Sequence, residues 1–439
     1  MKKLILLFLF IGNYIIAQSN ETTINQVTFN SEFTYKMLEA NQDLRKINIL
    51  LENKQNSHIN TNTLVIGTSL ISIFDYQSSN TDSKFGYLMR HPTSSIQIGK
   101  TVSEVAIHSF QVSFTGTVNN WLSAHAEVLY NPQQSFGSGT ITDLNRNQLQ
   151  LRKGFVLIGD LNSFPFYGAI GKMDAPFGQT GSVSPFTNST MWHAFGGLGY
   201  GAQIGFKKGG FHAKFMAVQG GAQFRAMHMP VSDTNVPSKL NNFIFDANYE
   251  FRLTTNIDFY FGGSYLHGSA YNQEFPVTHF AAGKNNNPAY TYYGKIKVND
   301  RLVVKGGFAK TLKVWEGTHN PSPPLNIFEA SKVSSLDLGV KYNIIESSDF
   351  KYTLSSEFSN FRSGDDGSPW ERQNQIVFGF SALYKKSSKL FIELFRTEGF
   401  APLNFISGSN PNDPFPQGVT HSDRDANSFG VVVGAQITL

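Results

Sequence analysis

Histidine and serine are the residue types here that could run a reaction, and their spacing gives them no site. His125, His193, His212, His228, His267 and His279 are the candidates. No G-x-S-x-G sets a serine on a sharp strand-to-helix turn, and no H-E-x-x-H puts two imidazoles on one helix face. GGLGYGA (Gly196–Ala202) comes near a dinucleotide fingerprint, but it lacks the last glycine spacing and opens a strand instead of a helix. DRDANSFG from Asp423 begins like a calcium loop, with Ser428 where the sharp-turn glycine is needed. These residues predict no enzyme, no cofactor and no metal. One stretch stands apart: YGAIGKMDAPFGQTGSVSPF, Tyr167 to Phe186. A strand-like run ends in Lys172 and Asp174, then breaks at Pro176-Phe177-Gly178 into a segment rich in Gly, Ser and Thr. Pro176 has no N–H and stops a ladder. Gly178 and Gly181 permit sharp turning. The task of that segment depends on the elements around it.

The chain opens with two lysines, an apolar run from Leu4 to Ile16 and a small residue, Ala17. That pattern predicts a signal peptide over residues 1–17, too short for a membrane-spanning helix. Loss of Lys2 and Lys3 takes the net charge from +4 to about +2, a balance that does not point to a nucleic-acid partner. With no cysteine, the exported chain has no disulfides and no lipid-anchoring thiol. Aromatic residues reach 14% and glycines number 39, yet charged residues are only 15% and mean hydropathy is −0.22. No apolar run after the leader is long enough for a helical span. Rich in aromatics and glycine yet polar on average, the chain has the composition of an outer-membrane β-barrel, whose strands meet lipid on one face and water on the other.

Residues 18–62 form a polar segment. Within it Phe33, Met37, Ala40, Leu44, Ile47 and Leu51 follow a 4-3-4-3-4 spacing, which predicts an amphipathic helix over 33–54. It is read either as a coiled coil that assembles the barrel into a homotrimer or as a single helix that plugs or caps it. From residue 63 to 439 the period is two. In IHSFQVSFTGTVNNWLSAHAEVLY an apolar face runs from Phe110 to Val118, turns at Asn119-Asn120 and resumes from Leu122 to Tyr130. Six more short turns follow, at Gly159–Asn162, Lys207–Gly210, Thr254–Asn256, Asn299-Asp300, Glu346–Asp349 and Lys385–Ser388. Between them lie eight longer polar loops, at about 76–93, 131–143, 174–198, 220–241, 268–288, 311–332, 361–373 and 398–426. Seven turns and eight loops join sixteen strands, with fourteen or eighteen as alternatives because the first strand, within Leu64–Asp75, alternates poorly. The fold class is all-β: a transmembrane antiparallel barrel of about sixteen strands behind a short amphipathic helix.

With the hairpins in place, VNNWLSAHAEVLY, FYGAIGKMDAPFG and GYGAQIGF follow the helix in order. Over about residues 30–220 the chain resembles the LbtU-type siderophore porin family of outer-membrane proteins. The match falls on Val118, Asn119, Trp121, Gly171, Lys172, Pro176, Phe177 and Gly178. The family usually continues with an acidic stretch; here VSPFTNSTMWHAFGG carries no acid. The resemblance implies a TonB-independent channel, with iron-chelate (siderophore) uptake as its finer reading.

In a sixteen-stranded barrel, loop 174–198 is expected to fold inward as a constriction built from Lys172, Asp174, Pro176, Phe177, Gly178, Trp192 and His193. Parity places Arg152, Lys214, Arg252, Lys295, Lys297, Arg301, Lys305, Lys341 and Lys351 inside, against Glu127, Asp246, Glu250, Asp258, Asp337 and Glu357. Nine cations against six anions predict a basic wall, concentrated in Arg152, Lys214, Lys295, Lys297, Arg301 and Lys305, that favours anions. The expected function is passive diffusion of small polar solutes through the outer membrane of a Gram-negative bacterium. The alternative is a receptor or adhesin with a plugged barrel and binding loops. Expected partners are the bilayer and its lipopolysaccharide, the barrel-assembly machinery and the solute or chelate itself.

Overall fold

Side-chain alternation governs the chain after residue 63. The computed structural model describes residues 26–39, 41, 45–85, 99–130, 149–219, 240–271, 287–299, 301–401 and 418–439. The leader 1–17, the loop 131–143, most of loop 220–241, His228, His279, Ala40 and Leu44 lie outside the described residues. The strands are β1 (Gln26–Thr28), β2 (Thr63–Ser79), β3 (Thr101–Thr117), β4 (Leu122–Tyr130), β5 (Leu149–Ile158), β6 (Phe166–Asp174), β7 (Leu198–Lys208), β8 (Phe211–Gln219) and β9 (Leu240–Thr254). They continue as β10 (Ile257–Leu266), β11 (Ala289–Val298), β12 (Leu302–Thr311), β13 (Ser334–Glu346), β14 (Phe350–Arg362), β15 (Arg372–Tyr384), β16 (Ser388–Phe400) and β17 (Asp423–Thr438). From β2 onward each strand pairs antiparallel with the next, and β17 returns to β2, with Ser428 opposite Ser79 and Thr438 opposite Ser69. The result is a closed sixteen-stranded antiparallel barrel. β1 adds in parallel to the start of β2, where β17 no longer reaches, and covers an edge that would otherwise be open.

The connections alternate as expected. At the shortest, Gly209 and Gly210 both hold positive φ, 58° and 84°, the backbone that a two-residue hairpin requires. Outward side chains are apolar: Ile204, Leu338, Phe378 and Leu390 stay 51–63% exposed, a surface that only hydrocarbon covers at low cost. Aromatic pairs gather near the strand ends, Phe166 with Phe206 and Phe350 with Tyr384 by the short turns, Phe243 with Tyr265 toward the long loops. The interior is polar, with Gln77, Gln111, Glu127, Asp246, Asp337, Gln375 and Glu393 all buried.

The N-terminal stripe differs from expectation. It forms two helices, α1 (Ser31–Leu38) and α2 (Lys46–Gln55), flanked by extended backbone at Glu39 and Arg45, not one continuous helix. Phe33, Met37, Leu38, Ile47, Leu50 and Leu51 are buried in a cluster with Val65, Phe155, Leu157, Tyr167 and Met173 of the inner wall. Of the two readings of the stripe, the packing agrees with a segment that plugs the barrel, whose inner wall supplies its apolar partner.

Tight packing on this side gives a direct test. The Tyr167 ring lies over Gly205, where an added Cβ would fall 2.1 Å from it, and the Tyr167 hydroxyl meets His212 Nε2 at 2.8 Å. Gly205→Leu is expected to displace the ring and cost about 1–3 kcal/mol, read as a lower denaturant midpoint for the refolded barrel. An unchanged midpoint would mean that this contact is not rigid.

Candidate channel site

The chain between β6 and β7 enters the barrel. Its turn includes a short helix, α3 (Thr190–Phe195), capped by the Ser189 hydroxyl, which accepts from Trp192 N–H. Thr187, Asn188, Ser189 and Thr190 have no exposed surface. A segment with no ladder must find other partners for its backbone. These come from strands halfway round the barrel. Val183 N–H and Ser182 Oγ donate to the Glu357 carboxylate on β14, at 2.8 and 2.6 Å. Phe186 and Thr187 N–H donate to Glu393 on β16, at 2.6 and 3.0 Å, and the Thr187 hydroxyl joins them. Gln375 Nε2 reaches Asn188 O, Lys389 Nζ reaches Pro185 O, and Thr190 N–H reaches Ser359 Oγ. Phe186 stacks on Phe391 with ring centroids 5.4 Å apart, among Ile71, Ile73, Val377, Phe395 and Val432.

The residues named for this loop divide. Phe177 packs on Phe195 at 5.9 Å. Gly178 holds φ 66° beside the Thr291 side chain and donates its N–H to Ser264 Oγ. Trp192 meets His193 edge to face, and the neighbouring Ala194 carbonyl accepts from the Tyr271 hydroxyl. Pro176 opens the inserted turn. Asp174 still belongs to β6 and pairs with Lys153 at 2.8 Å. Lys172 does not join them. It pairs with Gly154 on the outward face, its ammonium bonded to Leu151 O at 3.0 Å and above the Tyr200 ring.

The basic wall divides too. Lys214 pairs with Asp246 at 2.9 Å, Lys305 with Asp337 at 3.0 Å, and Arg152 with Glu127 at 3.3 Å, so three of the six cations sit against carboxylates. Arg152 is the extra residue of a bulge between Glu127 and Val128, which turns Lys153 inward as well. Arg301 lies in the β11–β12 turn, exposed, and is not a wall residue. Lys295 and Lys297 remain on the inner face, Lys295 with its ammonium 5.5 Å from the centre of the Tyr260 ring. Both line a cavity of 990 Å³ near the short-turn end, bounded by β11–β16, loop residues 182–185 and the two N-terminal helices. Its charged lining is Lys36, Lys295, Lys297, Lys341, Lys351 and Lys389 against Glu39, Glu52 and Glu346. Six cations face three anions.

No family model matches this chain. A curated relative described as a UPF0422 protein, from Coxiella burnetii (strain RSA 493 / Nine Mile phase I), is 26% identical over 163 residues, 37% of this chain. The match spans about a third (32%) of that protein's length. Among solved structures, an anion-selective porin from Comamonas acidovorans aligns with a TM-score of 0.52 at 12% identity, covering 86% of this chain and 99% of that one. OprB of Pseudomonas putida, in its high-pH structure, aligns with a TM-score of 0.52 at 8% identity, covering 85% and 94%. The likeness is to porins, and it is one of fold.

The described histidines take separate positions. His125 Nδ1 meets Thr115 Oγ1 at 2.8 Å and lies beside Glu127, while His267 stacks on Phe243. Among the described residues no three His, Asp or Glu side chains gather as a metal site. Near the long loops, Lys84 Nζ lies 2.7 Å from His421 Nδ1; burial, then that ammonium, lowers the imidazole to about 4, which keeps it neutral and able to accept. The sequence reading missed Asn41, Arg45, Lys389 and Glu393. Lys389 and Glu393 share a face with Phe391 and Phe395, so apolar parity hid them. Asn41 and Arg45 carried no signal, being polar residues beside an apolar stripe.

Proposed function

We propose that this chain is an outer-membrane porin through which small polar solutes diffuse passively, with a preference for anions. The observation that carries this reading is the 990 Å³ cavity between loop and wall, lined by six lysines and three glutamates. Lysine ammonium groups at a narrow, partly desolvated opening raise the local concentration of anions and repel cations. An iron chelate of net negative charge fits the same lining, selected by charge and size, and this is the form the siderophore reading takes here. Export after cleavage of 1–17 and insertion by the barrel-assembly machinery belong to the same proposal.

A plugged receptor is the second reading. It is favoured by the amount of chain inside the barrel, namely α1, α2 and the β6–β7 segment. Planar-bilayer recording of the refolded protein under a salt gradient separates the two. Stable open steps with an anion-selective reversal potential are the expected result. Folded, inserted protein that passes no current would retire the porin in favour of the receptor.

A further inference from the structure

Helices α1 and α2 precede the barrel in sequence, and the porin reading gives them no task. Their contacts point inward. Thr34 lies so close to Gly67 of β2 that a Cβ added there would be 2.2 Å from the Thr34 hydroxyl. On one side of the mouth, Gln436 Nε2 of β17 donates to Leu38 O at 3.2 Å, and Lys389 of β16 pairs with Glu39 at 3.2 Å. On the other side, Lys46 pairs with Glu127 of β4, Glu52 pairs with Lys207 of β7 at 3.0 Å, and Lys54 Nζ donates to Gly159 O at 3.2 Å.

Between these anchorages, two side chains reach the inserted β6–β7 segment. Asn41 Nδ2 donates to Ser184 O at 3.0 Å and Thr187 O at 3.2 Å. Arg45 Nη2 donates to Gly178 O at 2.9 Å and Phe177 O at 3.2 Å. Without a ladder, that segment needs acceptors for its N–H groups and donors for its carbonyls. Glu357 and Glu393 of the wall supply acceptors; Asn41 and Arg45 supply donors from the opposite side. The segment is clamped between a carboxylate wall and a donor-bearing brace.

We propose that α1 and α2, with Asn41 and Arg45, form a strut built into the pore, and that Asn41 and Arg45 are positioning residues that seat the β6–β7 segment. The effect on current rests on the porin reading, whereas the seating does not. The strut explains why a polar N-terminal segment carries an apolar stripe: the stripe anchors it, and its polar residues hold the segment that narrows the lumen.

The absence of native cysteine makes single-thiol reporters clean. In the folded full-length protein, Leu50→Cys and Val183→Cys, both at buried positions, are expected to react with a bulky maleimide roughly a hundredfold more slowly than Gln55→Cys at an exposed one. Adding Asn41→Ala and Arg45→Ala to Val183→Cys is expected to speed its reaction about tenfold or more, since the buried hydrogen bonds of Asn41 and the half-buried ones of Arg45 to the segment are lost. Arg45→Lys keeps the charge but not the planar fork, and is expected to speed it less; this milder variant decides the point if the double one does not fold. In a bilayer the same substitutions should add noise to the open steps. Leu50→Cys reacting as fast as Gln55→Cys would remove the docked strut. A Val183→Cys rate unchanged by either set of substitutions would remove the positioning role. Parent protein that passes no current overturns only the porin reading, because the labelling rates decide the strut without it.

Discussion

Replacing Lys295, Lys297 and Lys341 together by glutamate is expected to turn an anion-selective reversal potential into a cation-selective one. All three line the 990 Å³ cavity, and the exchange converts its charged lining from six lysines and three glutamates to three and six. In water a unit charge acts on a permeant ion 4 Å away with about 1 kcal/mol, and more where protein walls exclude water. Six units of charge change are therefore expected to move the permeability ratio by a factor on the order of ten or more. Salt screens this strongly, since the Debye length falls to about 3 Å at 1 M, so the gradient belongs near 0.1 M. By contrast, Lys214→Glu or Lys305→Glu would place a glutamate against Asp246 or Asp337 inside the wall, and is expected to lower folding yield instead of tuning selectivity. A triple variant that keeps the parent's reversal potential would show that solutes do not pass this cavity.

The residues that carry this prediction also mark the limits of the sequence. Parity placed Lys295, Lys297 and Lys341 on the inner face because β11 and β13 alternate cleanly. It could not assign partners: Lys305 resembles Lys295 in sequence, yet it meets Asp337 from the next strand. Arg301 kept parity but fell one residue beyond its strand, in the turn. Lys172 was grouped with the inserted loop, yet plain alternation separates it: Tyr167 and Ala169 are buried inside and Ile170 is exposed outside, so Lys172 shares the outward face of β6 with Ile170. Strand number was legible because turn and loop lengths depend on which end of the barrel they join, whatever fills the lumen.

Poor alternation had a cause of its own. β2 buries Val65, Ile71 and Ile73 inward, and β16 does the same with Phe391 and Phe395. A water-filled lumen has no use for such residues. They are apolar on both faces because their inner faces meet α1, α2 or Phe186 of the inserted segment. Mixed alternation in an otherwise regular barrel strand is thus a sign of chain packed inside, and the same reasoning explains the heptad stripe of 33–51. Both patterns were present in the sequence, but neither names its partner, since apolar burial is non-directional.

Glu393→Ala is expected to release the tip of the β6–β7 segment and give larger, noisier open steps while the barrel stays folded. The carboxylate accepts Phe186 N–H, Thr187 N–H and the Thr187 hydroxyl in a site closed to solvent. Orphaning buried donors costs about 1–3 kcal/mol each, more than the stacking of Phe186 on Phe391 returns at about 0.5–1.5 kcal/mol. The tip should therefore leave the wall and rehydrate, taking Phe186 with it. The β15–β16 and β16–β17 ladders do not depend on this side chain, which is why the barrel itself is expected to survive. Glu393→Gln keeps one carbonyl oxygen but turns an NH2 toward donors, so an intermediate effect is expected. Glu357→Ala should act in the same direction through Val183 and Ser182, but more weakly, since only one backbone N–H is orphaned. The check is unit conductance and open-channel noise at fixed salt, with the step expected to rise by roughly a factor of two. Glu393→Ala steps of parent size and quietness would mean that the segment holds its place without this carboxylate and that the clamp lies elsewhere.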